Sequence, residues 1–284
     1  KPAYLPESYV NSYTKKSVYN TEEQIEDSKH PVSYTLETNG YDMNNLKDII
    51  EIPIYTLPEW TMGYSFGEYI ESIKSQYPML SYEMSEQIIK VSDYNKIAEL
   101  YGEEKYTLND DEYIVLCNYD QMEDIRNQTL NTNSNIEIKG KTYHSKYNEC
   151  KDGFVYMATS EMNAGIILVP DNFELKNEDT EQYLLVANYN AETEEGKQEI
   201  EKTIAGSEDT EFFKNIEEKG IDLDGLSKIT IIESSKGLAT IIIFIAIYLG
   251  IIFLIASSAI LALKQLTESS DNKQRYTILR KIGC

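Results

Sequence analysis

Histidine, cysteine and cationic side chains are scarce in this 284-residue chain. Only His30 and His144 are present, and no ligand spacing accompanies them, so both read as surface residues and not as a metal site. Lysine plus arginine total 26 against 48 aspartate plus glutamate, a net charge of −22. That balance argues against a nucleic-acid binder, because phosphate contacts need a basic face. No GxSxG, HExxH, phosphate-loop or dinucleotide fingerprint occurs. Among so many carboxylates a glycosidase pair could be nominated anywhere and defended nowhere. The chain reads as no enzyme, and it carries no cofactor signature. An apolar fraction of 41% argues equally against wholesale disorder.

Charge is absent altogether from residues 238–263, LATIIIFIAIYLGIIFLIASSAILAL. As a helix this run would extend ~39 Å, enough for a hydrocarbon core of ~30 Å. It lacks the polar stripe of a buried soluble helix, and its place late in the chain excludes a cleaved signal sequence. The expectation is a transmembrane helix. Beyond it, Lys264, Lys273, Arg275, Arg280 and Lys281 outnumber Glu268 and Asp271 by +3; subtracting that from −22 leaves −25 for residues 1–237. Basic residues are retained in the cytoplasm, so 264–284 should lie inside and 1–237 outside. Gly250, Ala256, Ser257, Ser258 and Ala259 suit close packing against other membrane helices, and equally a lone anchor. Lys1 is not an initiator methionine, and the chain is expected to be a piece of a larger membrane protein.

Residues 1–237 read as an α+β domain. The first thirty carry Tyr4, Tyr9, Tyr13 and Tyr19 without a clean period, as in an extended arm. Pro53, Pro58, Gly63, Gly67 and Pro78 punctuate the next stretch, with a short helix over 68–77. The clearest unit is QIIKVSDYNKIAELYG: Ile88, Ile89 and Val91 form a strand, and Ser92 or Asp93 caps a helix. Tyr94, Ile97, Ala98 and Tyr101 share one face of that helix, and Gly102 ends it. EYIVLCNY (112–119) is a buried-type strand, and IEIKGKTYH (136–144) a hairpin about Lys139-Gly140. Further strands are expected over 154–159, 165–169 and 183–189, and a polar helix over 193–204 with Gly206 as its stop. Residues 229–232 form a last strand or the upper end of a stalk. Strand order is not legible.

Cys117 and Cys150 fall outside the membrane and Cys284 inside, so Cys117–Cys150 is the only sensible intramolecular disulfide; spacing does not decide whether it forms. Asn127-Gln-Thr129 matches a glycosylation acceptor by chance. The many tyrosines read as core and strand filling, and the acidity as a solvated exterior that could also steer cations.

Ser235-Lys236-Gly237, Tyr248-Leu249-Gly250 and Leu263-Lys264-Gln265-Leu266, followed by Asp271-Asn272-Lys273, Arg275-Tyr276 and Leu279-Arg280-Lys281-Ile282-Gly283, together resemble the FtsX-like permeases of ABC transporters. Within that family the likeness is to bacitracin-type peptide-antibiotic export or resistance permeases of Gram-positive bacteria. It covers about fifty residues at the carboxyl end, and the ectodomain matches loosely, chiefly in KVSDYNKIAELYG. The resemblance implies a large extracellular domain between membrane helices and a partner cytoplasmic ATPase that uses the ATP. It also implies association with a sensor histidine kinase, and a ligand that is a cationic peptide antibiotic or a lipid-linked cell-wall precursor. Two other classes stay open. One is a mechanotransmitting permease that controls an envelope hydrolase or other partner; the other is a single-pass receptor or adhesin. After a polar turn over 267–272, residues 275–282 should form a short amphipathic helix. The permease likeness implies that Tyr276, Leu279 and Arg280 on it couple to the ATPase.

Overall fold

The computed structural model describes residues 10–15, 30–132, 135–158, 161–205, 210–221 and 223–283. In chain order the elements are β1 (Val10–Lys15), α1 (Val32–Thr38), β2 (Leu46–Thr61), α2 (Met62–Phe66), α3 (Ile70–Gln76), β3 (Ser85–Lys90) and α4 (Val91–Tyr101). There follow β4 (Glu112–Leu116), α5 (Asp120–Thr132), β5 (Asn135–Ile138), β6 (Lys141–Ser145), β7 (Ile166–Val169) and β8 (Thr180–Tyr189). Last come α6 (Glu194–Ala205), α7 (Glu211–Glu218), β9 (Leu223–Ser227) and α8 (Lys228–Lys281).

The described strands form a mixed sheet in the order β5-β6-β4-β7-β3-β2-β8-β1-β9. β3–β7 and β4–β6 run parallel and the other neighbours antiparallel. β7 (IILV) is apolar and buried at every position because both its faces are covered. Successive side chains point to opposite faces, so Ile114 and Leu116 join one core with Ile89, Tyr94 and Leu168. Tyr113, Val115 and Cys117 join the other with Trp60, Ile88 and Ile167. A third core gathers α1, α6 and α7 against β8 through Leu36, Ile204, Phe212 and Leu185. Tyr94, Tyr101, Tyr106, Tyr113 and Tyr189 are buried, so much of the tyrosine content is core.

α4 is the helix expected from the SDYNKIAELYG pattern, with Val91, Tyr94, Ile97, Ala98 and Tyr101 buried and Gly102 at its end. Its start differs. Lys90 is the cap residue, and Asp171 from the distant β7–β8 connection accepts the Ser92 N–H at 3.2 Å. The hairpin turn places Lys139 at φ 52° and Gly140 at φ 74°, the paired left-handed backbone of a type I′ turn.

Several expectations are corrected. β2 runs through Pro53 and Pro58, where punctuation was expected. Its ladder with β3 begins at Tyr55 and is irregular between Thr56 and Thr61, so neither proline has to donate there. Residues 154–158 form a loop; Asn118 and Asn163 side chains bond the Gly153 carbonyl, substituting side-chain hydrogen bonds for a strand ladder. Val10–Lys15 is a strand paired with β8 and β9, and residues 1–9 and 16–29 lie outside the described residues, as does Gly206. Residues 229–232 are helical and continuous with the apolar stretch, so of the two alternatives the strand is the one excluded. No turn interrupts 267–272 either, because nothing there forbids the helix: Thr267 Oγ1 donates to the Leu263 carbonyl and the ladder simply continues.

The chain divides into two units, Lys1–Ile231 and Ile232–Cys284. The division falls upstream of Gly237 because Ile229 and Ile231, in the first turn of α8, are buried in the sheet domain's cores. In the second unit the helix over Ala239–Lys281 is long and apolar enough to cross a membrane, its most apolar 18-residue window having a mean hydropathy of 2.9 and no buried residue.

Candidate functional site

A cleft of about 360 Å³ opens in the sheet domain where β3, β7 and β8 meet the loops after β4 and before β7. Its apolar side comes from Met62 of α2, Met84, Phe154, Val155 and Met162. Met84 and Met162 are 58% and 69% exposed, so they stand at its rim. Its polar side comes from Glu86 and Gln87 of β3, Arg126 of α5 and Glu181 of β8.

Glu86 and Arg126 form a bidentate pair. Nη1 donates to Oε1 and Nη2 to Oε2, both at 2.9 Å, and both side chains are almost wholly buried. Nε donates to the Ala164 carbonyl at 2.7 Å. Burial alone would lower the Arg126 pKa, but the Glu86 charge and hydrogen bonds outweigh it and hold the guanidinium above its ordinary value. Breaking such a pair leaves an uncompensated buried charge, so its partners are fixed together. Gly165 makes room for it: at φ +141°, a Cβ there would lie 2.3 Å from the guanidinium carbon, a position only glycine tolerates.

Two asparagines shape the rest. The Asn163 N–H donates to Asn118 Oδ1 at 2.8 Å, and Asn163 Nδ2 donates to the Leu116 and Gly153 carbonyls at 3.1 and 3.0 Å. Asn163 Oδ1 accepts the Gly165 N–H at 3.0 Å. The loop is thus pinned to the end of β4 without a ladder. Tyr156 closes one side; burial raises its pKa above the ordinary phenol value, so it stays protonated and its oxygen accepts from Gln182 at 2.6 Å. Glu181 is half-buried, and its carboxylate accepts only a long 3.4 Å bond from Gln87. The arrangement holds no activated nucleophile, and among the described residues no His, Cys, Asp and Glu group could hold a metal.

Cys117 and Cys150 are free, buried thiols in contact. The Cys150 hydrogen bond lowers the Cys117 pKa, and the same bond raises that of Cys150. Leu116 pairs in parallel with Lys151, and the Cys117 N–H donates to the Lys151 carbonyl at 3.0 Å. The two cysteines therefore flank the Leu116–Lys151 pair, one on each strand. Asn127, the asparagine of the chance glycosylation pattern, accepts the Cys150 N–H at 2.7 Å. His30 packs on Tyr34, and His144 lies 3.7 Å from Asp111. Tyr276, Leu279 and Arg280 belong to the second unit and stand exposed on the last turns of α8. The cleft residues escaped sequence reasoning because α5, which carries Arg126, shows little apolar periodicity. The one available signal was Arg126 itself, a lone arginine beside Ile125.

Over 152 residues the chain is 30% identical to the bacitracin export permease protein BceB of Bacillus subtilis (strain 168). The likeness is to an ABC-transporter permease. The match covers 52% of this chain and 22% of that permease, so it spans about a fifth of the relative's length. No protein-family model matches, and no solved structure does. Permease likeness and the apolar helix together point to a membrane protein.

Proposed function

We propose that the chain is part of the permease subunit of an ABC transporter for antimicrobial-peptide export, resistance or sensing. The likeness to a bacitracin export permease carries this reading. The sheet domain faces outward and binds a cationic peptide antibiotic or its lipid-linked cell-wall target, while residues 264–284 lie in the cytoplasm. An outward cleft with an apolar side and an acidic excess over the whole domain supports the binding role. ATP is hydrolysed in a separate ATPase subunit, and a sensor histidine kinase is the expected signalling partner. Deleting the gene should sensitise the host to cationic wall-active peptides, and the tagged protein should copurify with an ATPase. Unchanged sensitivity to every such peptide counts against the reading.

The mechanotransmitting alternative draws on one observation, the unbroken α8 from Lys228 to Lys281. It predicts a wall-separation defect on deletion and no change in peptide resistance.

A further inference from the structure

The cleft beside the Glu86–Arg126 pair carries an unbalanced charge. Glu86 uses both oxygens on Arg126, and Arg126 spends Nε, Nη1 and Nη2 on protein acceptors. Those two charges cancel. Glu181 is left over: among the described residues no cation lies within ion-pair distance of it, and its bond from Gln87 is long. Across the cleft stand Met62, Met84, Met162 and Phe154, three of them unbranched thioethers that adapt to irregular apolar shapes. An anion would meet Glu181 and a guanidinium already neutralised. A cation carried next to an apolar group meets complementary surface on both sides.

We propose that this cleft is the binding site for a cationic amphipathic peptide, with an amine or guanidinium on the Glu181 carboxylate and a neighbouring apolar side chain among the methionines. The inference rests on the peptide-binding reading above and adds to it the place, the contact residues and the chemistry selected. The buried pair and Gly165 act as the fixed wall against which the ligand packs, and Met84 and Met162 form the adaptable rim.

The test uses the whole chain in nanodiscs of zwitterionic lipid and a labelled short leucine–lysine peptide as probe, with a leucine–glutamate peptide as counterpart. Binding of the leucine–lysine probe should weaken with added salt and exceed that of its counterpart. Glu181→Gln keeps the shape and the bond to Gln87 and should weaken binding about fivefold. Met162→Ser should weaken it roughly threefold, and Glu199→Gln, an exposed carboxylate on α6, should change nothing. Glu181→Gln binding like the wild type, with its unfolding profile unchanged, removes the cleft while the peptide-binding reading stands. No binding of any cationic probe to the wild type removes both. Preference for the leucine–glutamate peptide overturns the charge assignment.

Discussion

In the sheet domain the core is sealed: Ile52, Ile54, Leu116, Leu168 and Val186 have at most 1% exposure. Along α8 the reverse holds, with Phe244, Phe253 and Leu254 each about 70% exposed. Polar groups divide the same way. The domain answers its buried Glu86, Arg126 and Asn118 with named partners, while residues 238–263 contain no charge to answer. One unit therefore carries its own solvent-excluding interior, and the other needs lipid or other helices to supply one.

The sharpest way to break this contrast is to cut the chain after residue 235. Ile229 and Ile231 remain, so the sheet domain should stay soluble and unfold in one cooperative transition, with membrane association abolished. Persistent aggregation would show that the domain depends on the span. Within the domain, Arg126→Leu should cost about 3–5 kcal/mol in denaturant unfolding by stranding Glu86, and Glu86→Leu added to it should recover much of the loss. A next effect belongs to the helix alone. Leu254→Lys should oppose membrane insertion by about 3 kcal/mol, read by alkaline extraction, with the domain's unfolding midpoint unmoved.

Smaller effects sharpen the comparison. In the assembled transporter, Leu279→Asp should reduce peptide-stimulated ATP hydrolysis roughly fivefold, about 1 kcal/mol of coupling, with peptide affinity unchanged. Full stimulation would overturn the coupling role and favour an amphipathic segment lying on the lipid surface over 275–282. The smallest effect concerns Glu112. Burial raises its pKa, but the Asn109 backbone N–H, the Asn109 amide and Lys146 together hold it below the usual glutamate range. Its stabilisation is therefore complete above about pH 4.5 and is lost as pH falls through the lower folded value. Glu112→Gln should flatten that acid limb by less than about 1 kcal/mol, since Lys146 is partly solvated. An acid limb identical to the wild type would assign it to other carboxylates.

Local pattern was enough for the apolar helix, the QIIKVSDYNKIAELYG strand-and-helix unit and the Lys139-Gly140 hairpin. In each, periodicity or a φ preference is written in adjacent residues. The apolar run YIVLC (113–117) likewise announced a strand covered on both faces. The cleft was not legible. Glu86 and Arg126 are 40 residues apart, and Asn118 and Asn163 45 apart. Nothing in either neighbourhood marks one as the other's partner. Pairing β3 with β7, and packing α5 on the sheet, is what brings them together. The same is true of Cys117 and Cys150, whose contact follows from the Leu116–Lys151 register. Sequence alone determined the apolar helix, the strand-and-helix unit and the hairpin, because those depend on neighbours in the chain. Tertiary structure decided which charges cancel and which one, at Glu181, is left to meet a ligand, because that depends on groups the sheet brings together from distant parts of the chain.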